Sequence, residues 1–305
     1  MTDPRRPWAE EIQLSEPVAR TAIEAAYPDL APAQLTPLAP GWDHHIWRVN
    51  GQYVFRFPRR HIAIPTLEAE AVILPALANR LPLEVPRLCF HGEPGHGVST
   101  PFVGLSWIAG STACRFDAPE EQRATWAAPL GRFLRALHDT PVPANAPGDT
   151  IHRADFARRT PMTCARLSEL ASSTGDARAR EALARFEAID PAGLPPAPPR
   201  LVHGDLYPRH VVVDAAGALA GVIDWGDAHE GDASLDLSIA FTLLPVSAHD
   251  AFRAAYGGAD EVAWERARWK ALFYGAGLVP YGRDTNDAAI EAVGWRALET
   301  ATTAP

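Results

Sequence analysis

The stretch that opens at His203 with HGDLYPRH, continues through VVV and a polar turn, and closes on GVIDWGD constrains this chain more than any other part of it. An apolar strand ends at Val202, and the β-branched run Val211, Val212 and Val213 starts the next strand almost at once, so Asp205 is confined to a tight loop. Leu219 to Ile223 reads as a further strand across the turn DAAG, and pairing of the two should carry Asp224 back beside the Asp205 loop. Two carboxylates brought together in this way can divide their work. One receives a hydroxyl proton while the other holds a metal.

A chain of 305 residues buries a sizeable core and supports one large domain or two lobes. With 47% apolar and 21% charged residues it reads as globular rather than disordered or membrane-embedded. A net charge of -9 speaks against a nucleic-acid partner, whose phosphates demand basic patches, and suits a cationic small molecule or plain solubility. Cys89, Cys114 and Cys164 are far apart and follow no zinc or disulfide spacing, which points to the cytoplasm. The first residues contain no apolar leader core, and no run approaches the roughly 20 apolar residues of a membrane span. The chain is expected to act as a monomer or weak dimer, without membrane contact.

Along the chain, Pro17 to Ala26 reads as a helix, and the alternating runs HIWRV and YVFRF flank Asn50-Gly51, a strong hairpin signal. Arg56 stands out there, because a cation on a strand of Val and Phe needs a partner. Pro65 opens a helical pattern to Leu81 that Pro75 should kink. Two more strands follow, the second ending at Gly110. From Glu120 helices dominate: one through residues 121–139, then Asp155 to Leu170 and Ala177 to Ile189. After a Pro-rich connection and the carboxylate hairpin come Leu235 to Leu243, Ala248 to Tyr256, Glu261 to Tyr274 and Asp287 to Glu299. Strands first and helices after is an α+β arrangement with a boundary near Ile108 to Thr112.

With Arg56, the segment LSWIAG, HGD, His210, IDWGD and the segment GDASLDLS in this order along the chain, nearly the whole chain resembles the aminoglycoside and macrolide phosphotransferase family. Those antibiotic kinases are built on the protein-kinase fold. The resemblance implies two lobes: residues 1–109 as a nucleotide-binding lobe with an antiparallel sheet, and 110–305 as a mainly helical lobe with the catalytic loop and acceptor site. Asp205 matches the catalytic aspartate, Asp224 the metal aspartate, and His210 a metal position usually filled by Asn, where macrolide kinases are similar in having His. Arg56 stands where protein kinases carry a strand lysine, with Glu70 as its ion-pair partner and Glu68 as the one-register alternative. Gly41 falls in the nucleotide-covering loop, the backbone of Ser106 and Ile108 would meet the base, and Ile223 would close the base pocket, though it also fits ordinary core.

The chemistry so implied is transfer of the γ-phosphate of ATP or GTP, with Mg²⁺, to a hydroxyl of a small-molecule acceptor. An aminoglycoside is the first choice; a macrolide, a sugar or metabolite alcohol, or a non-catalytic nucleotide-binding relative are the alternatives. Asp227, Glu230, Glu261, Glu265 and Asp284 are candidate acidic contacts, and Trp264, Trp269, Phe273 and Tyr274 would line an apolar acceptor pocket if they are not plain core. His138 is expected to cap its own helix, Asp232 to cap the helix after the metal segment, and Asp236 to bond the catalytic loop.

Overall fold

The computed structural model describes residues 10–38, 43–149, 151–190 and 197–304. Gly41 and residues 191–196 of the Pro-rich connection lie outside them. The chain divides into two compact units. One takes the residues up to Ala78, Val85–Ile108 and the short segment Trp225–Asp227; the other takes Asn79–Glu84, Ala109–Asp224 and everything from Ala228.

The first unit begins with helix α1 (Glu16–Ala26), which has Pro17 in its first turn, where no N–H is needed, and buries Ala19, Ala22 and Ile23 on one face. Strands β1 (Leu35–Pro37), β2 (His44–Val49) and β3 (Tyr53–Pro58) follow, then helix α2 (Ile64–Leu77) and strands β4 (Leu88–Gly92) and β5 (Phe102–Ser106). They form one antiparallel sheet in the order β1-β2-β3-β5-β4. Asn50 and Gly51 take φ of 51° and 69°, the left-handed pair a tight hairpin requires. Trp47, Val49, Phe55, Phe57 and Phe102 pack with the α1 residues in the core, Phe57 stacking on Phe102 at 4.5 Å. Arg56 thus sits on the central strand, opposite Ile46 on one side and Val103 on the other.

Two expected boundaries move. Helix α2 ends at Leu77 rather than Leu81, two residues after Pro75, whose missing N–H weakens the ladder there. Strand β5 ends at Ser106 rather than Gly110, because Ser106 faces Tyr53, the first residue of β3, and after one more bond, from the Trp107 N–H to the Gln52 carbonyl at 2.8 Å, the facing segment turns away into the Asn50-Gly51 hairpin.

The second unit carries strand β6 (Ser111–Thr112), helices α3 (Glu120–Thr125), α4 (Ala127–His138), α5 (Phe156–Thr174) and α6 (Ala177–Glu187), and strands β7 (Arg200–Val202), β8 (Val211–Val213), β9 (Leu219–Val222) and β10 (His229–Gly231). Helices α7 (Ser234–Leu237), α8 (Ile239–Leu243), α9 (His249–Tyr256), α10 (Glu261–Asp284) and α11 (Ala288–Thr303) complete it. The helix expected over 121–139 is broken at Trp126, and the one over Leu235 to Leu243 at Ser238. Strand β8 pairs with β9 across the DAAG turn and with β6 on its other edge, while β10 pairs with β7. Gly110, at φ 144°, lets the chain enter β6 beside Val213, whose carbonyl would lie 2.3 Å from any added Cβ. Helix α10 runs ten residues past the expected end at Tyr274, because Gly275 and Gly282 allow close packing against Leu298 and Glu291 of α11. Among the described residues no helix is long and apolar enough to cross a membrane.

Candidate active site

The catalytic-loop candidate follows β7, and a buried carboxylate holds it in place. Asp236 on α7 accepts the backbone N–H groups of His203 at 2.7 Å and Gly204 at 2.9 Å, and the His138 ring donates to it at 3.2 Å. Burial alone would raise the Asp236 carboxyl, but the His138 bond and the nearby His203 outweigh it and hold the group below the usual carboxylate range. His138 therefore does not cap its own helix. It bridges Asp236 to the Tyr256 hydroxyl, 2.9 Å from its Nδ1, while Asp232 takes the Ser234 N–H at 2.9 Å and pairs with Arg266.

His203 joins the two carboxylate motifs. Its Nε2–H donates to the Ile223 carbonyl at 3.0 Å and its Nδ1 accepts the Asp205 N–H at 3.3 Å, which fixes a neutral tautomer; burial lowers its proton affinity in the same sense. In return the Ile223 N–H donates to the His210 carbonyl at 2.9 Å. Half-buried Ile223 is thus bonded through both backbone groups one residue before Asp224.

These bonds place His210 between the two acids. Its Nδ1–H donates to the Asp205 carbonyl at 2.8 Å and lies 3.9 Å from Asp205 Oδ2, while Nε2 lies 3.2 Å from Asp224 Oδ2. Burial opposes a charged imidazole, yet the Asp224 and Asp205 carboxylates outweigh it and hold His210 above its ordinary value, so Nε2 donates to Asp224. Asp224 itself has φ 69°, a left-handed conformation that a non-glycine residue adopts at a cost and that clusters at functional sites.

The donor set fits magnesium in a limited way. Among the described residues no three His, Cys, Asp or Glu side chains are grouped to cage a metal, but magnesium ordinarily takes one or two carboxylates and completes its shell with phosphates and water. Asp224, with its carboxylate 39% exposed, meets that requirement; His210 joins it only by giving up the Nε2 proton, since its other nitrogen is committed to a carbonyl.

In the first unit, Arg56 and Glu70 meet: Nη1 bonds Glu70 Oε1, which also accepts the Trp225 N–H at 3.1 Å. Arg56 Nη2 donates to Nδ1 of His44 at 3.0 Å. Glu70, not Glu68, faces the guanidinium. The turn Trp225–Asp227 lies against α2 so closely that a Cβ on Gly226 would fall 2.8 Å from Thr66. Ser106 spends its N–H on the Arg87 carbonyl and accepts the Arg87 N–H on its hydroxyl, both at 2.9 Å, so only its carbonyl could meet a base; Ile108 is buried.

The other candidates separate. Glu265 is bonded to Arg185 and Arg268, and Glu261 to Arg253, so both acids are already engaged by arginines. Glu230 is exposed on β10. Trp264 and Trp269 are core, Trp269 packing on Phe156 and Phe186. Tyr274 is different: its hydroxyl donates to Asp205 Oδ1 at 2.9 Å. Sequence reasoning missed this role for Tyr274 and the place of His44 beside Arg56, since neither lies near its partner in the chain or carries a motif.

The chain matches the phosphotransferase enzyme family over residues 34–272. It is 25% identical over 206 residues to an uncharacterized protein, YcbJ, of Bacillus subtilis, a match spanning 63% of each chain. Among solved structures it is similar to a GDP complex of aminoglycoside 2'-phosphotransferase-IIIa, with a TM-score of 0.69 at 22% identity over 95% of this chain and 99% of that one. It is also similar to the macrolide 2'-phosphotransferase MphH from Brachybacterium faecium, with a TM-score of 0.55 at 24% identity over 87% and 92%. Both structures share the kinase-like fold of an antiparallel sheet followed by a helical region.

Proposed function

The chain belongs to the phosphotransferase enzyme family, and from that premise we propose that it is a small-molecule kinase moving the γ-phosphate of ATP or GTP to a hydroxyl of an aminoglycoside-type antibiotic. The observation that carries the reading is His210 seated between Asp205 and Asp224, with one carboxylate oxygen of each within 3.9 and 3.2 Å of its ring. In this reading Asp205 takes the hydroxyl proton as the acceptor oxygen bonds to the γ-phosphorus, and the β–γ bridging oxygen leaves with the nucleoside diphosphate. Asp224 and His210 would hold Mg²⁺, which when bound neutralises phosphate charge. Arg56, oriented by Glu70 and His44, would offer its guanidinium to the α- and β-phosphates. The Ser106 carbonyl, the Ile108 backbone and Ile223 are assigned to the base. Residues 1–109 would serve the nucleotide and 110–305 the acceptor.

The net charge of -9 supports a cationic acceptor, and a relative of similar fold has been captured with GDP and kanamycin. A nucleotide donor and three unbridged cysteines go with a cytoplasmic setting. The test is phosphate transfer from ATP and from GTP to kanamycin and to a 14-membered macrolide, with magnesium, at two ionic strengths. Transfer to kanamycin whose KM rises steeply with salt is expected, because exposed charge pairs are screened beyond about 8 Å at physiological ionic strength. Salt-insensitive transfer to the macrolide alone would replace the acceptor, and transfer to neither would overturn the antibiotic reading.

A further inference from the structure

The phenol of Tyr274, 69 residues from Asp205 along the chain, donates its only proton to Asp205 Oδ1 at 2.9 Å. The ring itself is buried and packed on several sides. Tyr207, from the catalytic loop itself, stacks on it with centroids 5.5 Å apart, and Phe273 packs edge-on at 6.2 Å. Lys270, the only lysine in the chain and buried one turn earlier on α10, puts its ammonium 4.4 Å from the ring centroid. Tyr207 also lies edge-on to His210 at 4.5 Å, so one aromatic side chain packs against both the ring beside Asp205 and the imidazole that faces Asp224.

We propose that Tyr274 is the positioning residue for the reaction: by occupying Oδ1 it locks the Asp205 carboxylate in one rotamer and leaves Oδ2 as the oxygen that takes the acceptor proton. Two observations make this more than a core contact. The first is the division of oxygens: Tyr274 holds Oδ1, whereas Oδ2 faces the His210 ring, and the carboxylate is 31% exposed in an otherwise buried cluster. The second is the direction of the bond. Burial, with Asp205 next to it, holds the Tyr274 hydroxyl well above its usual range, so it remains a donor at any working pH and never competes for the acceptor proton. A donor that fixes a base without touching nucleotide acts on the chemical step and not on ground-state binding.

This inference rests on Asp205 being the base, and the experiment separates the two. Tyr274→Phe keeps the ring and its stack while deleting the hydroxyl. Turnover of the full chain is measured with ATP and magnesium, both onto kanamycin and onto water as basal hydrolysis, next to wild type, Asp205→Asn and the double variant. Loss of a charge-assisted hydrogen bond predicts that kcat falls about 10- to 100-fold in Tyr274→Phe, with the nucleotide KM within about twofold of wild type. In the Asp205→Asn background the same change should cost nothing further, since the oriented carboxylate is already gone. A dead Asp205→Asn beside a Tyr274→Phe of wild-type kcat would overturn the Tyr274 role alone, as would a raised nucleotide KM or an additive loss in the double variant. Wild-type turnover in Asp205→Asn would remove the base and this inference with it.

Discussion

The Arg56 and Glu70 side chains are 7% and 1% exposed, whereas those of Asp205 and Asp224 are 31% and 39% exposed. Arg56 lies on β3 and Glu70 on α2, Asp205 and Asp224 follow β7 and β9, and both sets are tied down by other side chains and backbone groups. They differ in what is left over. Glu70 is closed on Arg56 and the Trp225 N–H, an arrangement whose loss would strand a charge out of water. Asp205 is anchored through one oxygen by Tyr274 while its carboxylate stays partly in solvent, and Asp224 holds a costly backbone conformation at φ 69°. A closed ion pair serves to fix a group in space. Partly open carboxylates, one of them on a left-handed backbone, are what the proposed reaction needs to meet a reactant.

The largest expected effect that could break this contrast is on stability. Glu70→Ala removes both the partner of a buried guanidinium and the acceptor of Trp225, and should destabilise the fold by about 3–5 kcal/mol in urea unfolding. Asp205→Asn, by contrast, should change stability by under about 1 kcal/mol. Equal stability losses in the two variants would erase the distinction.

A smaller effect sharpens it at a buried group outside the candidate site. His249 is 5% exposed, donates to the Ala240 carbonyl at 3.1 Å, and is pushed by burial down to about 4. The unfolded chain takes up this proton first, near the ordinary histidine value of about 6.5. The stabilisation is therefore fully present above that pH and is lost as pH falls towards 4, by up to about 3 kcal/mol. Unfolding midpoints of wild type and His249→Gln at pH 7 and pH 5 check this. The wild type should lose more stability than the variant on acidification, and parallel losses would show that His249 is not the group responsible.

The hairpin at Asn50-Gly51 was legible in the sequence because its turn chemistry is local, and Arg56 because a charge among Val and Phe is a local anomaly. The β8–β9 hairpin was legible for the same reason, with β-branched runs on either side of a short polar turn. What escaped depends on tertiary packing. The helix from Glu261 is expected to end at Tyr274, yet α10 continues to Asp284 because Gly275 and Gly282 allow intimate contact with α11. Tyr274 sits in a run of aromatics that reads as core by composition, and only the fold shows its hydroxyl on Asp205. His44 is one of two adjacent histidines, and nothing in their spacing says which one turns to Arg56.

The central claim is that Asp205 and Asp224 divide the work, one on the acceptor proton and one on the metal-bound nucleotide. Titration calorimetry of ATP binding, with and without magnesium, in wild type, Asp205→Asn and Asp224→Asn tests it most directly. Asp205→Asn should keep the magnesium-dependent gain in affinity seen for wild type, and Asp224→Asn should lose it. Two variants that keep the gain alike, or lose it alike, would contradict the division.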